Sequence, residues 1–404
     1  MNYLKEYTSL KKLLSGKLPA QYEDFVLKEI EFKSNKSIDF SSNIDEEKTN
    51  IFNALLNYYL QNNTASNDYI FRNLNAPDNS FPENNNFSYL LFSKDCKEKC
   101  KSVIILLHGL NEKNWEKYLT WAKYLCEKTG KAILMFPLAF HMNRAPMEWS
   151  NSRLMYRLSK ERMGLFPKLQ SSTFVNAAIS TRLQFSPERF LLSGLQTLYD
   201  IIELVEEIRK DNNTHIAHDA TVDFFGYSIG GFLGQILLMS NQTNLLADSR
   251  LLVFCGGATF DKSSPASRAI MDSEATEAIK GYYLNEFDKC LEKDTSLNEV
   301  FAKSGEVGEV FKCMLNSAKM ISFRNALMGS LKRRLRILTL EKDMVFSPRA
   351  VTESYMIDLS KSIVRLDFPY PYTHETPFPT IEKTSDEVYE AFKHVFDYAS
   401  EFLG

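Results

Sequence analysis

A chain of 404 residues, 44% hydrophobic and 25% charged, is long enough to bury a large core, and its net charge of -3 lacks the basic excess that nucleic-acid binding calls for. The opening Met1-Asn2-Tyr3-Leu4-Lys5-Glu6-Tyr7 lacks the apolar run of a secretory signal, and no stretch is apolar enough for long enough to span a membrane. Cysteines at 96, 100, 126, 255, 290 and 313 show no second pair at zinc-ligand spacing, so thiols in a reducing, cytoplasmic setting are expected, with no metal.

Residues 1–86 form an entry region expected to pack on or near the body of the protein. Leu4 to Leu14 reads as a short helix and Phe25 to Phe32 as a strand. Thr49 to Leu60 has helical spacing through Ile51, Phe52, Leu55, Leu56 and Tyr59. The stretch from Gln61 to Asn86 is rich in Asn and carries Pro77 and Pro82, a loop composition. Phe87 to Ser93 is the next strand. Val103-Ile104-Ile105-Leu106-Leu107 is apolar at every position and ends on His108-Gly109-Leu110-Asn111. Trp115 to Thr129 is amphipathic, and Ala132-Ile133-Leu134-Met135-Phe136 is a second wholly apolar run, stopped by Pro137. Strand, helix, strand at this length is a βαβ crossover, and runs apolar on both faces suit central parallel strands.

From about 140 to 190 the alternation breaks, which predicts a first insertion. It resumes at Ser193-Gly194-Leu195-Gln196, read as a capping box before the helical spacing of Leu198, Ile201, Ile202, Val205 and Ile208. Thr221 to Phe225 is a strand, followed by Gly226-Tyr227-Ser228-Ile229-Gly230 and an apolar helix. The G-x-S-x-G spacing forces a sharp turn that lifts the serine hydroxyl above the sheet. The following helix offers free N–H groups where an oxyanion would form. Leu251–Phe254 is a further strand. Residues 256–334 are mostly helix-like, a second insertion. Leu335–Leu340 ends at Glu341-Lys342-Asp343, Ser362–Leu366 is the last strand, and Asp386 to Phe402 is a closing amphipathic helix.

These residues resemble the α/β-hydrolase superfamily over about 87–402. His108-Gly109, the Ser228 elbow, Asp343 and His374 each follow an apolar strand, in the order serine, acid, histidine that this fold uses. The resemblance implies a mostly parallel sheet with helices on both faces and two helical cap insertions. It also implies a serine hydrolase that cleaves an ester, thioester or amide through an acyl-enzyme, with ester the first choice and no cofactor. Ser228 is the expected nucleophile, His374 the base and Asp343 the orienting acid, ahead of Glu341 and Asp367. The backbone N–H groups of Leu110 and Ile229 are the expected oxyanion donors.

Among the other histidines, His215 and His218 lie in a polar linker and His394 on the last helix. His108 suits a structural role. His141 either lines the pocket or packs its loop. Arg144 either holds a substrate anion or pairs with an acid such as Glu148, and Tyr227, beside the nucleophile, is a further candidate substrate contact. A non-catalytic binding protein on the same fold and an acyltransferase are the alternatives. The expected partner is a small acyl substrate, and the residues do not define an oligomeric state.

Overall fold

Strand segments that are apolar at every position, such as 103–107, 132–136 and 251–254, need cover on both faces, and at the centre of the sheet they receive it. The computed structural model describes residues 2–35, 38, 74, 76–95, 98–240, 244–359 and 361–404. Its strands are β1 (Ala20–Tyr22), β2 (Phe25–Lys33), β3 (Asn86–Lys94), β4 (Cys100–Leu107), β5 (Ala132–Phe136), β6 (Ile216–Tyr227), β7 (Leu251–Phe254), β8 (Leu335–Leu340) and β9 (Ile363–Leu366). They form one nine-stranded sheet in the order β1-β2-β3-β5-β4-β6-β7-β8-β9. Pairing is antiparallel from β1 through β2 and β3 to β5, and parallel from β5 to β9. Apart from β1, only β3 runs against the rest. This is the α/β-hydrolase fold, with the short β1 added at one edge.

Side chains along each strand alternate between two cores. Val103, Ile105, Leu107, Phe224 and Val253 face the helices Arg189–Arg209, Ile229–Ser240 and Thr295–Leu315. Ile104, Leu106, Phe225, Leu252 and Leu338 face the opposite core, formed with Glu116–Thr129, Ser385–Leu403 and the N-terminal helix Tyr3–Lys11. Leu107 sits opposite both Phe136 and Gly226, and Tyr227 opposite Phe254. The chain therefore leaves these strands along one edge, the edge where open α/β sheets bind ligands.

Several elements differ from the sequence-based expectation. The entry region supplies β1 and β2, so the sheet begins at Ala20, well before residue 87. Ser193 does not cap a helix. The helix starts at Arg189, two residues after Pro187, and the Ser193 hydroxyl turns back to the Phe190 carbonyl at 3.3 Å. The second insertion is not made of unbroken helices. A π-helical turn, Tyr282–Glu286, joins Ser273–Gly281 to Phe287–Lys293, and Gly305, at φ 54°, breaks Thr295–Leu315. The helix expected at 49–60 and most of the Asn-rich stretch lie outside the described residues. Among the described residues no helix is long and apolar enough to cross a membrane, no cluster of His, Cys, Asp and Glu is disposed for a metal, and the cysteines are free thiols.

Candidate active site

Ser228 stands between β6 and the helix Ile229–Ser240 at φ 56°, a left-handed conformation that a serine adopts only under constraint. Close approach explains the flanking glycines. A Cβ on Gly226 would fall 2.6 Å from Gly231 Cα, and one on Gly230 would run into the Leu107 carbonyl and lie 2.8 Å from that of His108. The Ser228 N–H donates to the Phe254 carbonyl at 3.0 Å, which ties the turn to β7.

Two loops converge on the hydroxyl. His374 Nε2 lies 2.8 Å from Ser228 Oγ, and His374 Nδ1 lies 2.8 Å from Asp343 Oδ2. The other carboxylate oxygen, Asp343 Oδ1, accepts from the Val345 and Phe346 N–H groups at 2.8 and 2.9 Å. Serine, histidine and aspartate are all buried. With the carboxylate facing Nδ1, the ring carries its proton there and leaves Nε2 to accept from the hydroxyl. The Tyr227 ring stacks on the imidazole with centroids 5.6 Å apart, and Phe346 closes in at 5.8 Å. The Tyr227 hydroxyl donates to the His374 carbonyl. Cys255, which its sequence neighbours do not tie to the site, sits beside this carboxylate. Burial and then the Asp343 charge push its thiol well above the ordinary range.

The other acids have different partners. Glu341 takes two hydrogen bonds from exposed Arg365, and Asp367 binds Lys342 and the Tyr372 hydroxyl. His218 and His394 are exposed, and His215 is half-buried before β6.

The turn after β4 is pinned from three sides. Tyr118 accepts from the Gly109 N–H at 3.0 Å. His108 accepts from the Leu138 N–H at 3.0 Å and turns Nδ1 to the Gly109 carbonyl. His141 accepts from the Asn111 N–H at 2.9 Å and turns Nδ1 to the Ala139 carbonyl at 2.8 Å. Among the described residues, no acceptor is bonded to the N–H of Leu110 or of Ile229. Both residues line a hollow at the sheet edge, with Leu138, Phe190, Leu233 and Phe311.

Burial, above all, lowers His141 from 6.5 to about 4 and His108 well below 6.5. Both rings are thus neutral in the folded protein at pH values where the unfolded chain protonates them. The sign follows: below about pH 6.5 the unfolded state binds more protons, so stability falls as pH drops from 6.5 toward 4. For His141 alone the loss is roughly 3 kcal/mol across that window. Urea unfolding of His141→Leu from pH 4.5 to 7 should show a flatter pH slope than wild type. The variant should also be about 1–3 kcal/mol less stable at neutral pH, because the Asn111 N–H is left without its acceptor.

Two candidate substrate contacts are corrected. Arg144 is fully buried and out of reach of a ligand. Its guanidinium pairs with Asp200 at 2.7 Å, not with Glu148, donates to the Asn84 and Pro137 carbonyls, and lies 4.0 Å over the Phe87 ring. Tyr227 is buried beneath the imidazole, where it holds the His374 loop and does not reach a substrate. His141 does line the cleft, but the protein occupies both its ring nitrogens. That cleft is walled by Leu110, Asn111, Lys113, Phe140, His141, Trp149, Ile179, Leu183 and Phe190, among others. Sequence reasoning did not single out Lys113, because a lysine in the polar turn Asn111-Glu112-Lys113-Asn114 looks solvated.

A mostly parallel sheet carries at one edge a serine elbow, a histidine bonded to the serine and an aspartate bonded to the histidine, on the α/β-hydrolase fold. The chain belongs to a family of unknown function, DUF6051, whose model matches residues 1–404. Among curated proteins, none matches the sequence. Similar solved structures include a carboxyl esterase from the fungus Tuber melanosporum, 12% identical, covering 79% of this chain and 83% of that one at a TM-score of 0.41. An esterase from Pyrobaculum calidifontis is 9% identical, covering 89% and 94% at 0.41. A peroxisomal α/β-hydrolase from Saccharomyces cerevisiae is 12% identical, covering 79% and 82% at 0.37.

Proposed function

We propose that the protein is a serine hydrolase acting on an ester, thioester or amide, an ester first. The observation that carries this is the unbroken chain of hydrogen bonds from Ser228 through His374 to Asp343, drawn from three separate loops. Ser228 Oγ bonds to the substrate carbonyl carbon as its proton passes to His374 Nε2. The oxyanion is held by the Leu110 and Ile229 N–H groups, which have no protein acceptor among the described residues. The imidazolium, steadied by Asp343, gives its proton to the leaving group, and the acyl group stays on Ser228. Water, deprotonated by the same nitrogen, then releases the acid and restores the serine. These residues need no metal or cofactor for the sequence of steps.

A fluorophosphonate probe should label wild-type protein at Ser228 and leave Ser228→Ala unlabelled, as read by peptide mass spectrometry. Folded wild-type protein that resists the probe would favour a non-catalytic binding protein on this fold. Product analysis with an added alcohol or amine separates hydrolysis from acyl transfer.

A further inference from the structure

The cleft that shares Leu110, His141 and Phe190 with the hollow at Ile229 has an uneven charge. Among the described residues its lining includes Lys113, Arg182 and Arg189, and no carboxylate. The two arginines are committed to structure. Arg182 donates to the Leu74 carbonyl at 2.9 Å and pairs with Asp78. Arg189 donates to the Leu74 and Ala76 carbonyls at 3.0 Å each and also lies near Asp78. Lys113 is different, having no ion pair or hydrogen bond with any described residue. Its neighbours on the same turn and the following helix do pair: Lys117 with Glu112, and Lys123 with Glu127 at 2.8 Å.

The position of Lys113 is also specific. It lies three residues beyond Leu110 and close enough to His141 for its charge to help hold that ring neutral. The side chain keeps some contact with solvent, yet the atoms crowding it push the ammonium down to about 8, with no counter-charge among the described residues to offset the effect. A half-buried ammonium that no described residue pairs carries a penalty that a bound anion would relieve. Beside the committed arginines, Asn111, His141 and Ser193, the wall carries an apolar stretch of Phe140, Trp149, Ile179, Leu183 and Phe190. Such a wall suits a short carbon chain more than a phosphate or a sugar.

Resting on the hydrolase proposal, we infer that the substrate is an anionic ester or amide: a carbon chain lies along the apolar wall of the cleft and its carboxylate pairs with Lys113. The scissile carbonyl then sits at Ser228 while the far end of the chain carries the charge. Lys113 is thus the residue that selects for the anion, through one charge-assisted hydrogen bond.

The test compares p-nitrophenyl hexanoate with the mono-p-nitrophenyl ester of adipic acid, which replaces the terminal methyl by a carboxylate. A second pair puts the carboxylate on the alcohol side, phenyl hexanoate against the hexanoate ester of para-hydroxybenzoate. Wild type should prefer the anionic member of at least one pair in kcat/KM. Lys113→Met should lower the anionic-to-neutral ratio for that pair by about 10- to 100-fold, mainly through KM. Lys113→Arg should restore most of it, and Lys113→Glu should lower it further. The same preparations are treated with the fluorophosphonate probe. Labelling at Ser228 with neither anionic ester preferred, or with a ratio that Lys113→Met does not move, overturns the carboxylate site and leaves the hydrolase proposal standing. No labelling of wild type overturns both.

Discussion

Ser228→Ala should lower kcat by about 10⁶ on whichever ester the protein turns over best, whereas Asp343→Asn should lower it by nearer 10⁴. The difference follows from the hydrogen bonds. Alanine removes the atom that bonds to the carbonyl carbon, and His374 then has nothing to deprotonate except water. The asparagine variant keeps the nucleophile and the base but changes what faces His374 Nδ1. One oxygen of residue 343 accepts from the Val345 and Phe346 N–H groups at 2.8 and 2.9 Å. An asparagine would place its only oxygen there and turn its NH₂ toward the ring. Nδ1 must then accept, the imidazole proton moves to Nε2, and that nitrogen donates to Ser228 Oγ when it should accept. Single-turnover kinetics should find the loss in the acylation step. Pairing Ser228→Ala with His374→Ala should be no worse than either alone, because the two act as one unit. Small and similar losses from all three single variants would contradict these roles. The Leu110 and Ile229 donors are backbone groups and remain in every variant, so a residue of catalysis should survive.

The parts of this fold legible in sequence are those whose physics is local. β5, β7 and the 103–107 stretch of β4 are apolar at every position because helices cover both faces, and that pattern reads directly from the chain. The elbow is legible because close approach of Leu107 and Gly231 leaves no room for side chains at 226 and 230. Asp343 and His374 are legible because each follows a strand whose end is marked. Pairing between distant segments is another matter. β2 alternates half-buried and exposed residues along its second half, and 52 residues separate its last residue, Lys33, from the Asn86 with which that residue is in register. Nothing local tells that it belongs to the main sheet. The start of the helix at Arg189 was hidden for a different reason. Ser193 and Gln196 have capping-box spacing, but Pro187 had already set the turn that starts the helix. Lys113 was missed because the lack of a partner among the described residues is a property of the folded neighbourhood, not of the four residues around it.

Arg144→Met should destabilise the fold by about 3–5 kcal/mol, read as a fall in the urea midpoint with the slope unchanged. Asp200 has no exposed side-chain surface, and burial already pushes its carboxyl up. What holds it charged is first the guanidinium, then the Ser34 hydroxyl at 2.6 Å and the Gln196 amide at 2.8 Å. Methionine leaves the carboxylate with the two neutral donors and also strips the Asn84 and Pro137 carbonyls of theirs. The Arg144→Met/Asp200→Leu pair should recover a good part of the loss, since removing both charges of a buried pair is far less harmful than removing one. The outcome also discriminates between roles. An arginine that held a substrate anion would, when replaced, raise KM for anionic esters and leave the urea midpoint alone. With Arg144 sealed against Phe87 and bonded to the loop that carries His141, the change should instead appear in the midpoint, while Lys113→Met shifts the anionic-to-neutral ratio.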